Sequence, residues 1–263
     1  MPQRRGAGVP YFTDKGIADL HAELRTVPGK HADLQARFLQ RAYRHDRAKE
    51  FAHHGFLRRL KILARHIENV FALIPPEQVE PPSREALSDA EINIQASVFN
   101  VFAAADNLAW LWVVEKQVKR PDGTDLPEAW VGLRRGNRAV RQALPEALRH
   151  YIAGLDDWFD MVDNYRHALS HRIPLCIPPY NVDPANEAAY QALEASKNTA
   201  LFGRGNLEEH DRLRAAQKEM EFFRPWMLHS IGEKARPLVF HPQLLANFNT
   251  IEETGRKMLD HLD

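Results

Sequence analysis

Three observations predict an all-α fold. Apolar residues recur at threes and fours through most of the 263 residues, and no stretch alternates apolar and polar residues as a sheet would. Proline and glycine fall in clusters that stop one helix and release the next. At 44% hydrophobic and 27% charged residues, the chain has ordinary globular composition, which rules out wholesale disorder.

The elements follow in order. A short helix is expected over residues 17–25, ended by Pro28-Gly29, and a longer basic one over 32–74, bent at Gly55 and stopped by Pro75-Pro76. Residues 77–84 are rich in proline and acid and read as a loop. Ser88 and Glu91 have capping-box spacing, so a helix should open there and run to Val118. Apolar residues cover most of its circumference, as the central helix of a bundle requires. Pro121-Asp122-Gly123 turns the chain, Asp125 caps a helix toward Leu144, and Pro145 opens the next in its first turn. A helix rich in Trp158, Phe159, Met161 and Val162 should end near His171, because Pro174 disfavours helix just before it. Residues 173–181, with Pro174, Pro178 and Pro179, are extended. Asp183-Pro184 starts a helix toward Ala200, Gly203 and Gly205 break the chain, and the last helix covers 243–262. Phe99, Phe102, Trp110, Leu111, Trp158, Phe159 and Val162 should share one core.

Composition excludes several functions. Thirty-five Lys and Arg balance thirty-five Asp and Glu, so attraction to nucleic acid has to come from patches. A single cysteine, Cys176, excludes an intrachain disulfide framework and a Cys-rich metal centre. The N-terminus lacks the apolar stretch of a secretory leader, and Asn100, Asp106 and Asn107 interrupt the most apolar segment, 98–114. A cytoplasmic protein that spans no membrane is expected. Glycine-rich phosphate loops, the serine elbow and the zincin pattern are all absent.

The segment with chemical content is Asn164-Tyr165-Arg166-His167-Ala168-Leu169-Ser170-His171, just before Pro174. It places an arginine, a polar residue directly after it and a histidine five positions on, at a helix end. This resembles the Arg/His signature of the HEPN superfamily (higher eukaryotes and prokaryotes nucleotide-binding domains). The preceding helix, with Asp106 inside an apolar run, fits as well; the resemblance covers 88–180, about a third of the chain.

The resemblance implies a HEPN-like bundle at 81–180, with basic N-terminal helices (1–80) and C-terminal helices (181–263) packed on it as one unit. It implies a metal-independent endoribonuclease in a toxin or phage-defence setting, acting on RNA as a homodimer whose protomers line one cleft, with an antitoxin protein as a further partner. No cofactor or metal is called for. The family pattern maps Arg166 and His171 to catalysis, with His167, Ser170 and Asp106 in support.

The chemistry gives the pattern a reason. Histidine titrates near neutral pH and can move a proton at the 2′-hydroxyl or the leaving oxygen. A guanidinium stabilises the charge that builds on the phosphorus oxygens. Five positions amount to about 140° of helix rotation, so one chain offers only half a site. The alternative is a non-catalytic helical module for dimerisation or for nucleotide or protein binding, in which Arg166 pairs with Asp163 or Asp106 and His171 caps the helix. A metal on Asp163, His167 and His171, spaced four and four, is weaker, because no fourth ligand is visible. Two basic patches, Arg37, Arg41 and Arg44 on one helical face, and Arg134, Arg138 and Arg141, are the candidate RNA contacts.

Overall fold

The computed structural model describes residues 9–230, 232–233 and 235–262. The first eight residues, where no leader is expected, lie outside the described residues. The fold is all-α, with extended pairing among the described residues confined to two-residue strands and two isolated bridges.

Helix α1, Asp14–Gln40, starts at Thr13, whose hydroxyl accepts the Gly16 N–H at 2.9 Å. It runs through Pro28 and Gly29, where the sequence predicts a stop. An interior proline costs about 3 kcal/mol. Against that, Leu20, Val27, Leu34 and Phe38 form one buried stripe that a stop would split. Burying Leu34 and Phe38 contributes about 1.5–3 kcal/mol each. Lys30 braces the proline turn, donating to Glu23 at 2.6 Å and to Asn249 at 2.9 Å.

The long helix expected next is broken at 41–45, where the Arg44 N–H donates to the buried Glu115 carboxylate at 2.9 Å. Helix α2, Asp46–Glu50, leads through a wide π-helical turn, Phe51–Phe56, into α3, Leu57–Leu73. The bend expected at Gly55 is this turn. A Cβ at Gly55 would meet Asn107 at 2.8 Å, so the glycine lets the turn close on the next helix.

That helix, α4, spans Arg84–Glu115 and starts a turn earlier than predicted. Pro81 and Pro82 block helix upstream, the Ser83 hydroxyl accepts the Ala86 N–H at 3.1 Å, and Leu87 is buried in the gained turn. Glu91, expected to cap, instead accepts the Ile177 N–H at 2.7 Å. The helix ends before Val118 because Gln117 turns left-handed at φ 51°, and the Val118 N–H closes on the Val113 carbonyl at 2.9 Å. By length and composition α4 could cross a bilayer. Most of its apolar side chains are instead packed within the protein's core.

The helix expected from Asp125 to Leu144 is a 3₁₀ turn, Glu128–Trp130, a loop, and the short α5, Arg138–Ala143. In that loop Asn137 folds onto Gly132, where a Cβ would come within 2.6 Å. Helices α6, Glu146–Gly154, and α7, Asp156–His171, follow, and α7 stops where Pro174 requires. Helices α8, Glu187–Asn198, and α9, Leu207–Lys218, pair as a hairpin, and α10, Phe240–Asp260, closes the bundle. Strand β1, Asn181–Val182, pairs with β2, Glu221–Phe222, and β3, Trp226–Met227, with β4, Leu238–Val239, both antiparallel.

One core joins α1, α3, α4, α6, α7 and α10, so all three stretches of chain contribute to it. Leu111, Phe159 and Val162 are buried in it as expected. Phe102, Trp110 and Trp158 pack at its margin; Trp110 stacks on Phe51 at 5.4 Å, and the Trp158 indole donates to Asn247 at 3.0 Å. Phe99 is not a core residue: it is 41% exposed. It stands about 100° around α4 from buried Val98, off the packed face.

Candidate functional site

Helix α7 carries the Arg/His segment, and its faces go to different places. The Arg166 guanidinium lies over the Phe102 ring of α4, 4.4 Å from the centroid, and donates to Asp163 one turn back at 2.7 Å. Arg134, from the loop before α5, lies over the same ring at 4.8 Å and reaches Asp163 at 3.5 Å. Two cations that repel are therefore held together by a shared ring and a shared carboxylate. Arg141 pins the loop: its Nε donates to the Leu133 carbonyl at 2.8 Å, and its Nη2 pairs with Asp156 at the start of α7. The Arg166 side chain remains 24% exposed, so part of it reaches solvent.

Asp106 belongs to the same cluster but makes no direct ion pair among the described residues. Arg166, the partner expected from the sequence, takes Asp163 instead, because the two share one helix turn. Burial lifts the Asp106 carboxyl to about 6, and the charges of Arg134 and Arg166 hold back a larger rise. Arg59 closes the cluster, donating to Asn107 at 3.0 Å and Asn100 at 3.1 Å. The cavity beside Asp106 and Arg134 measures about 10 Å³, room for no more than about one water.

The histidines face outward. His167 and His171 are both exposed, with ring centroids 5.1 Å apart and planes inclined by 59°. His171 has no hydrogen bond or ion pair among the described residues. The structure brings His171 to His167, not to Arg166, as the 140° rotation between them requires. Ser170 donates to the Arg166 carbonyl at 3.0 Å, so its hydroxyl is engaged with its own helix. Asp163 is spent on two arginines, and no group of three or more His, Cys, Asp or Glu is gathered to hold a metal among the described residues.

The basic patches divide. Of the six arginines expected to touch RNA, only Arg134 stands beside Arg166. Arg141 is mostly buried and engaged by Leu133 and Asp156, so it braces the loop instead of facing a ligand. Arg138 is exposed at the start of α5. Arg37, Arg41 and Arg44 do not share one helical face, because α1 ends at Gln40. They line an open depression of about 820 Å³ against the end of α10, where Arg37 pairs with Asp260 and Arg41 donates to the Leu262 carbonyl at 2.7 Å.

Sequence reasoning missed a second network on the far side of the motif. Arg172 donates to Asn164 Oδ1 at 2.7 Å and to Glu233 at 2.7 Å. The Asn164 amide donates to Nε2 of the buried His229 at 3.3 Å, which leaves the ring proton on Nδ1, facing Glu233 at 3.5 Å. Burial and Arg172 hold the His229 pKa down. Only the flanking positions of Asn164 and Arg172 were visible in the sequence; their partners lie more than sixty residues away.

No family model, no curated protein and no solved structure matches this chain. The local geometry therefore carries the functional argument.

Proposed function

We propose that the chain is a HEPN-like, metal-independent endoribonuclease acting as a homodimer, with a toxin or phage-defence role. The observation that carries this reading is the state of the motif. An anchored, partly open arginine and an unengaged, exposed histidine sit five residues apart at the end of one helix. In this reading an imidazole takes the 2′-hydroxyl proton as that oxygen attacks the adjacent phosphorus. Arg166, with Arg134 beside it, stabilises the charge on the non-bridging oxygens. A second imidazole protonates the departing 5′-oxygen, leaving a 2′,3′-cyclic phosphate and a 5′-hydroxyl.

One chain holds His171 exposed and turned from Arg166, so in this reading a second copy completes the cleft. Two features support self-pairing. Exposed Ile92 and Phe99 lie seven residues apart on one face of α4. Helix α7 carries the exposed Asp157 and Asp160 in its first half and the exposed His167 and His171 in its second, so two copies packed antiparallel set carboxylate against imidazole.

The binding-module reading is favoured by one observation, the Asp163 ion pair that engages Arg166. The two readings separate on an oligoribonucleotide and its deoxy counterpart, incubated with the protein in EDTA. The nuclease reading expects cleavage of the RNA alone, with cyclic phosphate ends, abolished by Arg166→Ala. Intact RNA in the presence of wild-type protein leaves the module.

A further inference from the structure

The loop that carries Arg134 to α7 begins at an aromatic residue that the cleavage chemistry does not use. Trp130 closes the 3₁₀ turn, its N–H donating to the Pro127 carbonyl at 2.8 Å while the Val131 N–H donates to Glu128 at 3.0 Å. The backbone is fixed, yet Trp130 is 48% exposed. A large apolar ring held rigidly in water forgoes burial that would stabilise the fold, which suits a contact surface.

The indole forms one wall of a recess of about 330 Å³, with Gly136, Asn137, Arg138 and Gln142 around it. The Arg120 guanidinium lies over the ring, 5.4 Å from its centroid, on a turn closed by the Arg120 N–H donating to Thr124 at 2.9 Å. Arg138 opens α5, and its guanidinium has no ion pair or hydrogen bond among the described residues, nor does the Gln142 amide. Glu128, the acid nearest in sequence, lines a separate recess with Arg47 and Trp110.

We infer that this recess binds one nucleotide unit. The base stacks on Trp130, the unpaired Arg138 takes the phosphate, and the Gln142 amide, donor and acceptor together, meets a base edge. Trp130 and Arg134 are four residues apart, at most about 14 Å of chain. A single strand seated at Trp130 therefore continues toward Arg134 and α7, so the site extends the RNA reading, although its occupancy is measured apart from cleavage.

The test uses the full chain carrying His171→Ala, to keep RNA intact, with a labelled ten-residue oligouridylate and free UMP as probes at low salt in EDTA. The oligomer should bind, and Trp130→Ala should weaken it by about fivefold to a hundredfold, the span of base–aromatic stacking. Trp130→Phe should keep most of the affinity, and Arg138→Ala should lower the salt slope by about one. UMP binding with the same dependence on Trp130 marks a free-nucleotide site; binding of the oligomer alone marks a single-strand site. Both outcomes support the inference. Equal affinity in Trp130→Ala, or no binding of either probe, overturns it, and neither result alters the wild-type cleavage assay.

Discussion

Arg166 and His171 sit within one and a half turns of the same helix, yet they live under different rules. Arg166 lies on Phe102, shares Asp163 with Arg134, and depends on a loop that Arg141 fastens. His171 is exposed, lies beside the ring of His167, and makes no hydrogen bond or ion pair among the described residues. A residue of the first kind is held by the fold and helps to hold it. One of the second kind can change without the core responding. Sequence spacing shows the pair; only packing shows the asymmetry.

The sharpest way to break this comparison is to remove the platform. Phe102→Ala should cost about 2–3 kcal/mol, since it deletes a partly buried ring and leaves two guanidinium groups facing each other. His167→Ala, at the open end, should stay within about 0.5 kcal/mol of wild type. Chemical denaturation of the two variants reads both, and equal losses would erase the distinction between the two ends.

A smaller effect sharpens the anchored side. Asp106 has its carboxyl raised to about 6 in the folded protein. The folded state therefore binds the Asp106 proton more tightly than the unfolded chain does. The stability this proton supplies is present below pH 4 and lost as pH rises through about 6. Asp106→Asn, neutral at every pH, should remove this decline and raise stability at pH 8 by about 1–2 kcal/mol. A variant less stable than wild type at pH 8, with an unchanged slope between pH 4 and 6, would mean that the ionised carboxylate is needed to balance Arg134 and Arg166.

Legibility in the sequence followed the range of the interactions. The end of α7 was readable because Pro174 acts on its immediate neighbours, and the Asp163–Arg166 pair stood as one of two alternatives because it spans one turn. The all-α class rested on periodicity that extends over whole helices. The break at 41–45 was hidden because the carboxylate that organises it, Glu115, lies 71 residues away. Pro28 was misread as a stop because the stripe that carries α1 through it is rewarded only by tertiary packing. Phe102 looked like one more core aromatic, since nothing local says that a distant loop will lay Arg134 across it. The His229 network was invisible for the same reason.

The most direct test of the account measures stability and RNA cleavage side by side in Arg166→Ala and His171→Ala. His171→Ala should unfold with wild-type stability yet cleave about 10²–10⁴-fold more slowly, the usual contribution of a general acid or base. Arg166→Ala should lose both activity and stability, the latter by about 1–2 kcal/mol. Undiminished cleavage by a folded His171→Ala would contradict the account, because the imidazole to which it assigns proton transfer would then be idle.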